Sequence, residues 1–334
     1  MSAEQTSDAG SGHERPPPRD RYVTGHDGLR LHARDYGDPI SPWTPVICLP
    51  GLTRSHKDYD DLALHLSGHR HRARRVVCPN YRGRALSAWD ETIENYNPFT
   101  EMRDVYSAMA AFGIARAVIV GASRGGIIGM FMANDRPLSV AGLVLIDIGP
   151  VIEPLGLARI KSYVGRIPPP NDWADAASIL RRLHGSRFTA WSDKDWERFA
   201  RLTFRDDNGM PAGNYDPKLA ETLAGVAFDR PVPDLWAEFN ALSNIPMLVV
   251  RGENSDLLSE ETLQAMADRH PGMDTVTVAG EGHSPLIRGG QLLNRISSFI
   301  TGLEGNQPPD HAIVPRTAPQ FDLDVDPAGE PAQE

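Results

Sequence analysis

This sequence has few cysteines, no long apolar run and no excess of basic charge. The only two cysteines, Cys48 and Cys78, lie in apolar runs that predict buried strands, so we expect free thiols in a reducing compartment. No apolar run approaches the about 18 residues of a membrane span, and the first residues lack the apolar stretch of a secretory signal. A net charge of −10 argues against a nucleic-acid partner. These absences together favour a cytoplasmic protein without membrane or nucleic-acid partners.

The 334 residues, 40% of them hydrophobic, can bury a large core. Apolar strand-like and helix-like segments alternate over residues 21–149 and 241–303, which predicts a mostly parallel sheet covered on both faces. Residues 150–240 break this alternation with a helical region that we expect to cover the carboxyl edge of the sheet as a lid. The polar, proline-rich segments 1–20 and 304–334 are predicted to be disordered tails.

Periodicity places the individual elements. Strands are predicted at 21–24, 29–35, 45–49, 75–79, 117–120, 143–148, 247–251 and 275–278, the first two forming an antiparallel hairpin. Helices are predicted at 58–66, 99–112, 124–134, 173–184, 196–202, 260–269 and 286–303.

The segment Gly121-Ala122-Ser123-Arg124-Gly125 stands between a predicted strand and a predicted helix. In this context a G-x-S-x-G pentapeptide indicates a sharp turn that exposes a nucleophilic serine at the helix N-terminus. A serine that only caps the helix would give the same pattern. Whether Ser123 is a nucleophile therefore depends on whether the chain also supplies a base and an acid for it.

A serine nucleophile needs a base to take its proton and an acid to orient that base. His283 follows the last predicted strand in a glycine-rich loop and is the candidate base, whereas His184 lies in the inserted region as a possible pocket residue. Asp256 follows the preceding strand and is the favoured acid. Asp147, which ends an earlier strand, and Glu253 remain alternatives, since a Ser–Asp–His order holds for each aspartate.

Acyl transfer also needs two donors for the oxyanion. The backbone N–H of Arg124 and that of Leu52, in a loop turned by Gly51, are the candidates. The side chains of Arg54 and Arg124 flank this predicted site, where they would bind a substrate carboxylate or else pair with scaffold acids.

Over residues 20–303 the sequence resembles the α/β-hydrolase superfamily, and it is similar to the branch of lidded esterases, enol-lactonases and C–C-bond hydrolases. Four motifs carry the resemblance: Pro50-Gly51-Leu52 with Ser55, Arg82-Gly83-Arg84-Ala85-Leu86-Ser87, Gly121 to Gly125, and Gly252 to Asp256 followed by Gly282-His283. The resemblance implies a doubly wound, mostly parallel sheet of eight strands with an inserted helical lid. By position it implies a supporting role for the second motif.

Carried over residue by residue, the resemblance implies Ser123 as nucleophile, Asp256 as acid, His283 as base, and Leu52 and Arg124 as oxyanion donors. One position departs from the family, which usually has histidine where this chain has Pro50. Because proline fixes φ and lacks an N–H donor, we expect a changed geometry of the oxyanion loop.

We therefore expect a serine hydrolase that cleaves a small-molecule ester or lactone through an acyl-enzyme on Ser123. No residues with metal-ligand spacing stand out, so neither a metal nor an organic cofactor is expected. The sequence leaves the oligomeric state open. Two alternatives remain: a hydrolase of C–C bonds in β-diketone-type substrates, and a non-catalytic binding protein with the same fold.

Overall fold

The computed structural model of the chain describes residues 17–225, 233–288 and 290–305. Within these ranges the strands are β1 (Arg19–Thr24), β2 (Arg30–Tyr36), β3 (Val46–Leu49), β4 (Val76–Pro79), β5 (Ala117–Ala122), β6 (Val140–Ile146), β7 (Arg205–Asp207), β8 (Met210–Ala212), β9 (Met247–Gly252) and β10 (Met273–Val278). The helices are α1 (Asp60–Ser67), α2 (Pro98–Ala111), α3 (Arg124–Asp135), α4 (Pro154–Tyr163), α5 (Trp173–His184), α6 (Asp193–Thr203), α7 (Leu219–Thr222), α8 (Trp236–Asn240), α9 (Glu260–Arg269) and α10 (Gly290–Gly302). Among these described helices, none is long and apolar enough to cross a membrane.

Eight of these strands form one sheet in the order β1-β2-β4-β3-β5-β6-β9-β10. β2 runs antiparallel to both β1 and β4, and every other neighbouring pair is parallel. The predicted eight-stranded, mostly parallel sheet with an antiparallel edge is thus confirmed. In such a sheet the carboxyl ends of the parallel strands meet at one edge, where open α/β sheets bind ligands.

The sheet separates two apolar layers, because successive side chains of a strand point to opposite faces. In β5, Ile119 joins the layer under α2, α3 and α9, whereas Val118 and Val120 join the layer under α1 and α10. Cys48 and Cys78 are buried in the second layer and are free thiols, as predicted. Both faces of the sheet are therefore covered, which explains why its central strands β3 to β6 are continuously apolar.

The largest shift from a predicted boundary is at the last helix, which begins at Gly290 and not at residue 286. The segment before it is tied back into the preceding loop, since the Leu286 N–H donates to Glu281 Oε2 at 3.1 Å. Apolar periodicity continues through this segment and therefore does not mark where the helix begins.

Helices α4 to α8 and the hairpin β7–β8 lie between β6 and β9, in the region predicted to be helical. Most aromatic side chains of this insertion pack against each other and form its own apolar core, which includes Phe188, Trp191, Trp196 and Phe204. Backbone hydrogen bonds join the insertion to loops of the main sheet, for example from Thr189 N–H to the Gly280 carbonyl at 2.9 Å.

The two predicted tails extend slightly too far into the chain. β1 begins at Arg19. At the other end, Glu304 is buried against the guanidinium of Arg74 at 3.0 Å, because that buried cation needs a carboxylate partner. The rest of the predicted tails, residues 1–16 and 306–334, lies outside the described residues.

Candidate active site

Ser123 occupies the turn between β5 and α3 with φ +50° and ψ −114°. A residue with a Cβ rarely adopts a positive φ, so its surroundings must hold this conformation. Glycines on both sides make the turn possible: a Cβ on Gly125 would lie 2.0 Å from the Leu49 carbonyl oxygen, and one on Gly121 would lie 2.4 Å from the Gly125 carbonyl. Ser123 therefore sits on a turn that the neighbouring backbone fixes at the carboxyl edge of the sheet.

His283, in the loop after β10, connects Ser123 to a carboxylate. Its Nε2 lies 3.0 Å from Ser123 Oγ, and its Nδ1 lies 2.8 Å from Asp147 Oδ2. The side chain of His283 is largely buried, and that of Asp147 is fully buried. In this geometry an imidazole can take the hydroxyl proton at Nε2 while the carboxylate holds Nδ1–H.

Asp147 follows β6 directly, with φ +54°. Its backbone N–H donates to the Val250 carbonyl at 2.7 Å, so the residue is fixed against β9. Its Oδ1 accepts the Gly252 N–H at 2.8 Å, and its Oδ2 accepts the Ser255 hydroxyl at 2.6 Å. These donors fix the orientation of the carboxylate that contacts His283.

Asp256, the favoured acid of the sequence analysis, does not contact His283, and Asp147 takes that place. The Asp256 carboxylate instead accepts two hydrogen bonds from Arg159, at 2.6 and 2.7 Å, and lies 2.8 Å from Arg187 Nε. Burial acts to raise the pKa of Asp256, but the two guanidiniums outweigh it and hold this pKa below its usual value.

The loop after β9 places Asp256 away from His283. Its Ser255 already binds Asp147, and Asp256, the fourth residue after Gly252, lies against the insertion. There α4 comes so close that a Cβ on Gly156 would lie 2.3 Å from the Asp256 carbonyl oxygen. Glu253, the third candidate, accepts the Gly280 N–H at 2.7 Å and so braces the loop before His283.

The loop with the predicted oxyanion donor Leu52 forms a turn beside Ser123. The Gly51 carbonyl accepts the Arg54 N–H at 3.1 Å, and since the N–H of a trans peptide points opposite to its carbonyl, the Leu52 N–H points away from this bond. Arg84 Nε donates to the Leu52 carbonyl at 2.8 Å. Pro50 is buried at the start of the turn. This contact of Arg84 agrees with the supporting role that the resemblance implies for its motif.

A buried ion network connects the two segments that carry the predicted oxyanion donors. Glu101 of α2 lies 2.7 Å from Arg84 Nη2 and 3.7 Å from Arg124 Nε, and neither Glu101 nor Arg84 is exposed. Burial lowers the pKa of Arg84, while Glu101 opposes that shift. Arg124 is the first residue of α3, so its N–H has no acceptor within the helix.

The two arginines considered for a substrate carboxylate already have acidic partners. Arg54 borders the site, but its guanidinium binds both carboxylate oxygens of Asp58 and donates to Thr203 Oγ1 at 2.5 Å. Arg124 pairs with Glu101. Both side chains therefore pair with acids of the scaffold, which was the second of the two expectations for them.

A small cavity of about 90 Å³ lies above Ser123 and His283, between the sheet edge and the insertion. Side chains of the insertion supply most of its wall: Ile160, Tyr163, Val164, Ile167, Leu180, His184, Phe188, Phe199, Thr203 and Tyr215. A larger cavity, about 640 Å³, lies beside Trp43, Ile114 and Leu138. None of Ser123, His283 and Asp147 lines it. We take the smaller cavity as the candidate substrate site because it alone of these two contains the Ser123–His283 pair.

A model of the alpha/beta hydrolase family matches residues 46–295, well over half of the chain. The chain belongs to the α/β hydrolase family. It is an enzyme of the hydrolase class.

Two relatives of this α/β hydrolase are similar over most of their length. The 3-hydroxybutyrate-oligomer hydrolase of Cupriavidus necator is 30% identical over 285 residues, which cover 82% of this chain and 93% of that protein. The crystal structure of an α/β hydrolase from Novosphingobium aromaticivorans is 39% identical with a TM-score of 0.77, covering 85% of this chain and 98% of that one. A third structure, of E-2-(acetamidomethylene)succinate hydrolase, shares the fold at 22% identity and a TM-score of 0.69, with coverage of 85% and 100%.

One group of side chains in the described part of the hydrolase has the spacing of metal ligands. His26, Asp27 and Asp104 offer ligand atoms within 4.8 Å of one another. Arg82, however, donates to Asp27 at 2.8 Å and to both carboxylate oxygens of Asp104. The carboxylates already have a cationic partner, so the group is explained as an ion-pair network.

Proposed function

We propose that this α/β hydrolase cleaves carboxylic esters through an acyl-enzyme on Ser123. One observation carries the proposal: the continuous hydrogen-bonded chain from buried Asp147 through His283 to Ser123, whose hydroxyl lies at a strained turn. A structural serine would need neither the positive φ nor the oriented imidazole.

The proposed reaction has two halves. Ser123 Oγ attacks the ester carbonyl carbon while its proton moves to His283 Nε2, and the N–H groups of Leu52 and Arg124 stabilise the oxyanion. His283 then gives the proton to the departing alkoxide, which leaves as the alcohol. In the second half, His283 takes a proton from water, the hydroxide attacks the acyl carbonyl, and the proton returns to Ser123 as the acid leaves. Asp147 holds the imidazole tautomer throughout.

The first substrates to test are short esters of hydroxy acids. The relative from Cupriavidus necator is named for 3-hydroxybutyrate oligomers, whose units are joined by ester bonds. The cavity of about 90 Å³ is small beside common ligand pockets of roughly 300 Å³ or more, so it suits a short acyl chain. Lactones of similar size present the same carbonyl chemistry.

The test is hydrolysis of p-nitrophenyl butyrate and of a 3-hydroxybutyrate dimer, with a β-diketone in the same panel. We expect turnover of the esters and a loss of about 10⁴-fold or more in Ser123→Ala. Ser298→Ala, which removes an exposed hydroxyl on α10, is the matched control and should keep full activity. Ester hydrolysis that survives in Ser123→Ala would contradict the proposal, and turnover of the β-diketone alone would favour C–C-bond cleavage.

A further inference from the structure

His184, the last residue of α5, is a buried polar residue on the wall of the cavity that contains Ser123 and His283. It is only 7% exposed. Its ring makes edge contacts with Tyr163, Phe199 and Phe188, at centroid distances of 5.2, 5.9 and 6.5 Å. Within the described part of the chain, neither of its ring nitrogens has a hydrogen-bond partner. Buried polar groups normally have partners, so this imidazole has hydrogen-bonding capacity to spare.

Two other polar side chains that the insertion adds to this wall, Thr203 and Tyr215, already have hydrogen-bond partners. Thr203 Oγ1 donates to the Phe199 carbonyl at 2.8 Å and accepts from Arg54. The Tyr215 hydroxyl accepts the Gly165 N–H at 3.0 Å. Unlike these two hydroxyls, His184 has both ring nitrogens left for a bound molecule.

The surroundings of His184 keep its ring neutral. Burial, followed by the positive charges of the nearby guanidiniums of Arg159, Arg54 and Arg187, lowers its pKa to about 3. A neutral imidazole offers one N–H donor and one acceptor nitrogen. It can therefore bind a hydroxyl in either direction, or donate to an ester oxygen, and the arginines around it favour an electron-rich atom.

The size of the cavity limits which substrate atom His184 can reach. A space of about 90 Å³ holds a short acyl chain and little else. An acyl group on Ser123 would thus place only atoms within a few bonds of its carbonyl against the ring.

We propose that His184 hydrogen-bonds an oxygen substituent of the acyl chain, a hydroxyl or the next ester oxygen, and thereby makes the enzyme prefer hydroxyacyl esters to unsubstituted ones. This inference rests on the proposed ester hydrolysis at Ser123. It assigns His184 to substrate recognition, with no part in proton transfer.

The experiment compares methyl 3-hydroxybutyrate with methyl butyrate by pH-stat, using enzyme whose active sites are counted with a fluorophosphonate probe. We expect the wild type to have the higher kcat/KM on the hydroxylated ester. His184→Phe fits an aromatic surrounding but lacks the nitrogens, and it should reduce the ratio of the two kcat/KM values about five- to tenfold. His184→Gln should restore part of the ratio. Ile167→Val, which changes an apolar group on the same wall, should leave the ratio unchanged.

Two results would overturn the inference: a wild type that hydrolyses both esters equally, or a ratio that His184→Phe and His184→Gln leave unchanged while both rates fall together. Either result leaves ester hydrolysis at Ser123 intact, since the wild type still turns over methyl butyrate. Failure of the wild type on every ester would refute the proposed function itself. If His184→Phe does not fold, the test compares the ratio of the two kcat/KM values in His184→Gln with that in Ile167→Val. A ratio equally unchanged in both variants would then overturn the inference.

Discussion

Replacing Asp147 or Asp256 by asparagine distinguishes the two carboxylates that the sequence leaves in competition. Asp147→Asn removes the charge 2.8 Å from His283 Nδ1 and leaves an amide that can present an N–H there. The imidazole would then favour the tautomer with its proton on Nε2, which cannot accept the proton of Ser123. We expect kcat to fall by about 10³- to 10⁴-fold, equal to about 4–5.5 kcal/mol of transition-state stabilisation.

Asp256→Asn is the matched control, because it makes the same chemical change at the carboxylate bound to Arg159 and Arg187. Its kcat should stay within about threefold of the wild type, whereas its unfolding free energy should fall by about 1–3 kcal/mol, since two partly buried guanidiniums lose a charged partner. The assay is p-nitrophenyl butyrate hydrolysis, with Ser123→Ala as the floor and urea unfolding for stability. A 10³-fold loss in Asp256→Asn with an active Asp147→Asn would refute this assignment.

Three further changes test the scaffold. Glu101→Gln should lower the unfolding free energy in urea by about 3 kcal/mol, because Glu101 is the carboxylate between two guanidiniums; unchanged stability would argue against the network. Gly125→Ala should cost about 3 kcal/mol or prevent folding, since its Cβ would meet a backbone carbonyl at 2.0 Å, whereas Gly213→Ala, with open space around it, should be neutral in the same assay. Burial lowers the folded pKa of His56 to about 4 and that of His184 to about 3, so between pH 7 and pH 5 the unfolded chain binds protons that the folded chain does not. The unfolding free energy measured in urea should therefore fall by about 2 kcal/mol for each of these two histidines over this pH range. His184→Phe should remove about half of the fall, and a pH-independent unfolding free energy would contradict the prediction.

Much of this architecture could be predicted from local patterns. The continuously apolar central strands predict a covered parallel sheet, and the glycines around Ser123 predict a sharp turn from strand to helix, because both are local signals. His283 could be found for the same reason, because it directly follows the last strand and all parallel strands end at the same edge.

The partner of His283 could not be predicted, because chain order permits either aspartate. Three features make Asp147, and not Asp256, the partner of His283: the positive φ of Asp147, its hydrogen bonds from Gly252 and Ser255, and the arginines that bind Asp256. These are contacts between residues far apart in the chain. The position of His184 on the cavity wall likewise depends on how the insertion folds over the sheet edge, which helical periodicity does not encode.

The most direct test of the account is to locate the covalent acyl group during turnover. The enzyme would be mixed with p-nitrophenyl butyrate, quenched with acid within the first turnovers, and analysed by mass spectrometry of the intact chain and its peptides. We predict one butyryl adduct on the peptide that contains Ser123, with none in Ser123→Ala. Turnover without an adduct, or an adduct on another residue, would contradict the assignment of Ser123 as the nucleophile.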